Sequence, residues 1–345
     1  MAVQTRIWVR ILLFAIVSGF IAPAARADYT TDDIYFDVAV RGTGSATIHA
    51  RVFNNPGNWY GATVLAVHGF TETANVWGPL ADAMFEDHAL RFAVRRVIAL
   101  DMIGHGESST PSGLPPGTFG ALTISDNVSV IIQSIDKLRA MGKGAAVIMG
   151  HSMGGLEVQA TQEALLSQGS SLAKRGIFGA VLLASVPAAG QQWTRFGSSD
   201  VTPFVVVDPV LGTYLSLPDA VAQRAGGWTT LAGTLATNTP SVEQITAEGY
   251  NDIEPIVVAL QLSTTPPVPR PSVREGAFAL RNGTVLTVVS FSQDALTPAV
   301  DQQAMYVHLL GRNGFLYRPI VAADAVHSMY ISNPTGMLHA LRDCF

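Results

Sequence analysis

Ala145-Ala146-Val147-Ile148-Met149-Gly150-His151-Ser152-Met153-Gly154-Gly155 is an apolar run that ends on a serine with glycines two positions before and two after it. The first five residues read as a buried strand. Gly150 to Gly154 then form the G-x-S-x-G turn, where a strand passes so abruptly into a helix that side chains at the flanking positions would collide. Such a turn holds Ser152 proud of the backbone, ready to attack a carbonyl.

A serine hydroxyl is a poor nucleophile unless a base removes its proton, and the base must be held in one tautomer by an acid. His327 is the candidate base. It follows the strand-like Tyr317 to Ala322 after a short loop, Ala323 to Val326, and precedes a helix-like segment from Pro334 to Phe345. The other histidines fit less well: His49 lies in an early strand, His88, His308 and His339 in helical patterns, and His68, His105 and His151 in turns that suit positioning roles. Asp294 is the candidate acid, in the turn after the strand-like Thr284 to Phe291, although aspartate also suits a helix cap or a turn there. Asp301 reads as dipole support in the first turn of the next helix, and Asp324 sits too near His327 in the same loop to orient it from outside. The tetrahedral intermediate also needs hydrogen-bond donors. The backbone N–H of Met153 and that of Phe70, in the turn Val67-His68-Gly69-Phe70, are the expected oxyanion hole.

Working outward, β-branched runs recur at Ile34 to Val40, Ala46 to Phe53, Ala62 to Val67, Arg95 to Leu100, Ala145 to Met149, Ala180 to Ala184, Thr284 to Phe291 and Tyr317 to Ala322. Helical periodicity fills Trp77 to His88, Ser125 to Gly142, Gly154 to Gln168 and Pro298 to Arg312. The alternation predicts an α/β fold with a mostly parallel, doubly wound sheet. Only Arg41 to Ser45 separates the first two strands, so the sheet starts antiparallel. From Pro187 to about Asn282 the alternation lapses into segments broken by Gly, Pro and Thr, with helical stretches at Ser241 to Tyr250 and Ile253 to Leu262. The expected organisation is a core of residues 28–188 and 283–345 interrupted by a cap at 189–282. Phe204, Tyr214, Leu215, Leu217, Trp228, Ile253, Ile256, Val257 and Leu260 suit either the roof of an apolar cleft or the cap's own small core.

Residues 1–27 read as a cleavable signal peptide: Arg6 and Arg10 precede the apolar Ile11 to Ala22, which leads to Pro23 and the small-residue site Ala25-Arg26-Ala27. The apolar stretch is shorter than the roughly 20 residues a membrane span needs. Cleavage after Ala27 leaves 318 of the 345 residues, and loss of three arginines takes the formal charge from −5 to −8. A secreted or periplasmic protein is expected, without a stable membrane anchor. That acidic balance, with no basic cluster, disfavours nucleic acid and anionic membranes as partners. Cys344 is the sole cysteine, which excludes an intramolecular disulfide, and no Cys/His cluster has metal-ligand spacing. Neither a cofactor nor a metal is expected, and oligomeric state is not legible.

With these residues in place, the chain resembles the α/β-hydrolase superfamily, particularly its serine esterase and lipase-like branch with the elbow Gly150-His151-Ser152-Met153-Gly154-Gly155. The turn Asp101-Met102-Ile103-Gly104-His105-Gly106-Glu107-Ser108 matches that family's Asp-x-x-Gly-His-Gly-x-Ser loop. The resemblance spans about Ala62 to Val186 and Thr284 to Met329, and implies that Asp101 and His105 shape the scaffold beside the site. Dehalogenase and epoxide hydrolase relatives carry aspartate where Ser152 stands, which argues against both activities. The loop His68-Gly69-Phe70-Thr71 lacks the glycine run of some lipases, implying two principal oxyanion donors and little room for bulky acyl branching.

The expected function is an exported serine hydrolase that cleaves small to medium carboxylic esters through an acyl-serine, with a small-molecule ester as its partner. Lactone, amide or carbon–carbon bond hydrolysis and cofactor-free perhydrolysis would use the same triad. A non-catalytic binding protein would carry a broken triad, whereas here all three residue types and both elbow glycines are present.

Overall fold

The computed structural model describes residues 29–191, 193, 205–216, 252–262, 269–294, 296–311, 320–322, 327 and 333–345. The expected signal segment 1–27, the helix expected at Ser241 to Tyr250, the residues Phe204, Leu217 and Trp228 of the expected cap, and Asp324 lie outside the described residues.

The β-branched runs become strands of one sheet. In chain order they are β1 (Thr30–Val40), β2 (Gly44–Asn54), β3 (Ala62–Val67), β4 (Val94–Leu100), β5 (Val147–His151), β6 (Gly179–Leu183), and, after a long insertion, β10 (Val285–Phe291) and β11 (Ile320–Ala322). Their spatial order is β1-β2-β4-β3-β5-β6-β10-β11. Pairing of β2 with β1 and with β4 is antiparallel, and every other pairing is parallel. The parallel centre is buried throughout, which is why β3 and the start of β5, Val147 to Met149, are continuous apolar runs, while the edge strand β1 is exposed at its start and alternates buried and exposed residues from Phe36 to Val40.

The helices obey the same periodicity: α1 (Gly78–Glu86), α2 (Ile124–Ala140), α3 (Met153–Ser167), α5 (Ala299–Leu310) and α6 (Pro334–Arg342). Strand β4 lies to one side of β3 and β5 to the other, so right-handed crossovers put α1 and α2 on opposite faces. Accordingly α1 packs with α6, and α2 packs with α3. The reversal between β3 and β5 opens a crevice at their carboxyl ends, where ligands of doubly wound sheets bind. Helix α2 is fixed at its start by a reciprocal capping box between Thr123 and Asp126.

Between β6 and β10 the described residues form a second, smaller sheet, β7 (Val205–Asp208), β8 (Gly212–Ser216) and β9 (Ile253–Pro255), ordered β7-β8-β9 and antiparallel, followed by α4 (Ile256–Gln261). The stretch Ile253 to Leu262 therefore departs from the single helix its apolar spacing predicts. Pro255 disfavours helical geometry at Glu254 and caps α4 from φ −55°, ψ 133°, leaving residues 253–255 free to pair with β8. The small sheet is tied to the core by backbone bonds from Gly117 to Val210 (2.6 Å) and Phe119 to Leu211 (3.0 Å). No helix among the described residues is long and apolar enough to cross a membrane.

Candidate active site

Strand β5 ends at His151 and α3 begins at Met153, so Ser152 alone makes the turn, at φ 50° and ψ −116°. A positive φ on a residue with a Cβ costs on the order of 1–3 kcal/mol and persists only where the surroundings enforce it. The enforcement is visible: Ser152 N–H donates to the Leu183 carbonyl (3.0 Å), and its own carbonyl accepts from Val186 N–H (2.9 Å). Glycine is required on both sides, because a Cβ at Gly150 would fall on the Gly154 carbonyl and one at Gly154 on the carbonyls of Val67 and His68.

The three residues singled out in the sequence meet here. His327 Nε2 lies 2.9 Å from Ser152 Oγ, and His327 Nδ1 lies 2.7 Å from Asp294 Oδ2. A carboxylate only accepts, so Nδ1 carries the proton and Nε2 is left as the acceptor facing the hydroxyl. Asp294 also forms its own turn: Oδ1 accepts from Leu296 N–H (2.8 Å) and Thr297 N–H (3.0 Å), and Oδ2 from Thr297 Oγ1 (2.6 Å). Asp294 thus both forms its turn and faces His327, Oδ1 serving the turn alone and Oδ2 serving Thr297 Oγ1 and His327 together. Asp301 sits in the first turn of α5, as expected.

Burial works on these groups in opposite senses. It pushes the Asp294 carboxyl up, but the His327 charge, its hydrogen bond and the Thr297 donors outweigh it and hold the group down at about 2. For His327 burial favours the neutral ring, while the Asp294 charge and hydrogen bond, with the charge of Glu72, raise it above the ordinary 6.5. All three side chains are buried.

The turn after β3 passes directly beside the serine. A Cβ at Gly69 would meet Glu72 Oε2 at 2.7 Å, His151 Nδ1 at 3.0 Å and Ser152 Cβ at 3.2 Å. Phe70 comes next after this glycine, and Met153 opens α3, where backbone N–H groups have no intrahelical acceptor and favour negative charge. The turn is shaped by Glu72, whose Oε2 accepts from Gly69 N–H at 2.6 Å, and by Thr71, held at φ 57°.

The histidines assigned to turns act as braces. His68 donates from Nδ1 to the Gly69 carbonyl (2.8 Å) and accepts Met102 N–H at Nε2 (3.1 Å). His151 Nε2–H donates to the His327 carbonyl at 2.8 Å, fixing the backbone of the candidate base from inside the elbow. Asp101 accepts from Ala74 N–H (2.6 Å) and Glu107 N–H (3.0 Å) and faces His49 Nδ1 at 2.7 Å. His105 is fully buried against Glu254 of β9, its Nε2 3.2 Å from Glu254 Oε2. Glu254 and Glu72 were not legible as site residues. The sole sequence signal for Glu254 is a carboxylate set between Ile253 and the apolar run after Pro255, two positions after Asp252.

Among the described residues one cluster brings metal-ligating atoms together: Asp33, His49 and Glu107 each place one within 4.8 Å of the others. The Arg51 guanidinium pairs with both of its carboxylates, 3.2 Å from Asp33 Oδ1 and from Glu107 Oε1.

Residues 64–340 match the alpha/beta hydrolase family. Over 94 residues the chain is 35% identical to the lipase LipV of Mycobacterium tuberculosis, a stretch that covers 27% of this chain and 29% of the lipase, so under a third of that relative's length is matched. Similar solved structures include the Cif epoxide hydrolase of Acinetobacter nosocomialis, with 17% identity, a TM-score of 0.53, and coverage of 97% of this chain and 95% of that one. A probable hydrolytic enzyme of Pseudomonas aeruginosa PAO1 gives 18% identity and a TM-score of 0.53, with 92% and 95% covered. At these identities the likeness is one of fold.

Proposed function

The chain belongs to the alpha/beta hydrolase family, and from that premise we propose that it hydrolyses small to medium carboxylic esters through an acyl-serine intermediate. The observation that carries the proposal is the unbroken hydrogen-bond chain from Asp294 through His327 to Ser152 at the tip of the elbow. The partial likeness to a lipase supports ester over other acyl substrates.

Ser152 Oγ attacks the ester carbonyl while His327 Nε2 takes its proton, and Asp294 stabilises the imidazolium so formed. The N–H groups of Phe70 and Met153 receive the oxyanion, each contributing on the order of 3 kcal/mol if they resemble donors removed from other such sites. His327 then protonates the leaving alcohol. Water then gives a proton to the same nitrogen as its oxygen attacks the acyl carbon; the bond from that carbon to Ser152 Oγ breaks, His327 returns the proton to Oγ, and the acid leaves.

Residues 189–282 serve as a cap in this reading, roofing the cleft so that polymeric substrates are disfavoured. Residues 1–27 act as an export signal, which suits an enzyme meeting environmental esters. Ser152→Ala should lower turnover of p-nitrophenyl butyrate by at least about 10³-fold without changing the circular dichroism spectrum. Undiminished turnover in that variant would overturn the proposal, and a wild type inert toward esters but active on lactones or anilides would redirect it.

A further inference from the structure

Thr71, the residue after the proposed oxyanion donor Phe70, is gripped on both sides by Glu254 of β9 and by Asp252 just before that strand. Its N–H donates to Glu254 Oε2 at 2.9 Å, and its carbonyl accepts Asp252 N–H at 2.8 Å. The same carboxylate oxygen faces His105 Nε2 at 3.2 Å, and Asp252 Oδ2 accepts Gly106 N–H at 2.6 Å. The loop carrying Phe70 and the loop carrying His105 are therefore clamped together by two residues, Asp252 and Glu254, that lie about 180 positions downstream of Thr71.

Adhesion does not explain the choice of residue. Glu254 and His105 are fully buried, and Glu254 Oε1 lacks a hydrogen-bond partner among the described residues. Burying an ion pair exacts a desolvation cost that an apolar side chain of similar volume avoids, and such replacements are often neutral or stabilising. An apolar residue at 254 would seat the small sheet on the core. It would not accept the Thr71 N–H, and Thr71 sits in the left-handed region at φ 57°, which a non-glycine residue holds only when its neighbours impose it. Burial would strip the proton from His105, yet the Glu254 charge and hydrogen bond raise it to about 9, so the imidazolium keeps the carboxylate oxygen fixed at neutral pH.

We propose that Glu254 is a positioning residue for ester hydrolysis: it locks Thr71 and thereby aims the Phe70 N–H at the oxyanion, so that the inserted segment completes the oxyanion hole of the core. The inference rests on the serine-esterase reading above. Because an oxyanion donor acts on the transition state, its misplacement lowers kcat and leaves KM nearly unchanged.

The test compares Glu254→Ala and Glu254→Gln with wild type on p-nitrophenyl butyrate, with kcat expressed per serine titrated by a fluorophosphonate. Glu254→Ala is expected to lose about 30- to 100-fold in kcat with KM within about threefold, part of the loss seen when a donor is removed outright. Glu254→Gln retains an acceptor for Thr71 N–H and should recover most of that loss. If Glu254→Ala fails to fold because His105 is left as an unpaired buried charge, the double variant His105→Leu/Glu254→Leu removes both charges and should fold with the same deficit in kcat. Wild-type kcat in a folded Glu254→Ala or double variant, or a change confined to KM, overturns the brace alone. A wild type whose Ser152 does not react with the fluorophosphonate overturns the esterase reading and the brace with it.

Discussion

His327 must be neutral at Nε2 to take the proton of Ser152, and its surroundings work against that. The Asp294 charge and hydrogen bond, with Glu72 nearby, outweigh burial and raise its pKa above 6.5, so kcat/KM should rise with pH along a limb centred above that value. Asp294→Asn removes the largest raising influence and leaves burial dominant. Its limb should move to lower pH while kcat falls by about 10³- to 10⁴-fold, because the wrong tautomer then faces the serine. A pH–rate profile of the two proteins checks both statements; an unshifted limb would show that another group controls it. At this scale Ser152, Asp294 and His327 were legible because each comes after a strand, in the chain order that a doubly wound hydrolase sheet supplies. Glu254 was not. Its role depends on contact with Thr71 far away in the chain, and nothing local to Ile253-Glu254-Pro255 announces that contact.

The elements owe their legibility to burial. Strands such as β3 and β5, covered on both faces, have to be apolar runs, and the helices that cover them have to carry an apolar stripe. The small sheet escaped notice for another reason. Strand β7 is only four residues long and β9 only three, so neither is long enough to show the repeat that marks a strand. Helix α3 is a different case: it is buried on nearly all sides and packs polar residues inward, Gln159 onto Ser185 Oγ (2.8 Å) and the Val186 carbonyl (3.0 Å). It starts against the carboxyl end of β3 so tightly that only glycine fits at position 154. Gly154→Ala should therefore cost about 1–3 kcal/mol of stability through forced backbone movement. Its activity should fall as well, since the same movement displaces Met153 and Gly69. Urea denaturation and ester turnover test this, and a variant of wild-type stability would mean that the β3–α3 contact is looser than described.

The whole molecule couples its two sheets through buried ionisable groups, and this sets how its stability depends on pH. Asp294, held at about 2, contributes stability that is present above the ordinary carboxylate value of 3.8 and lost as pH falls toward 2. His105, raised to about 9, contributes stability that is present below 6.5 and lost as pH climbs through 9. Glu157 is raised by burial to about 8 despite the hydrogen bond from Asn127, so it keeps a proton in the fold that the unfolded chain releases, and stability declines as pH rises from 4.5 toward 8. Tm should accordingly fall between pH 6.5 and 9, and Glu157→Gln should flatten the decline and exceed wild type at about pH 8. A Tm that rises over this range would contradict the charge states assigned to the buried cluster. The central claim also belongs to this scale, since residues 152, 294 and 327 come from the ends of three strands and meet only in the folded chain. The most direct measurement is peptide mapping after reaction with a fluorophosphonate, in wild type and in His327→Ala. The account predicts a single adduct on Ser152 in wild type and a reaction slowed by at least about 10³-fold in the variant. An adduct on another residue, or an equal rate in His327→Ala, would contradict it.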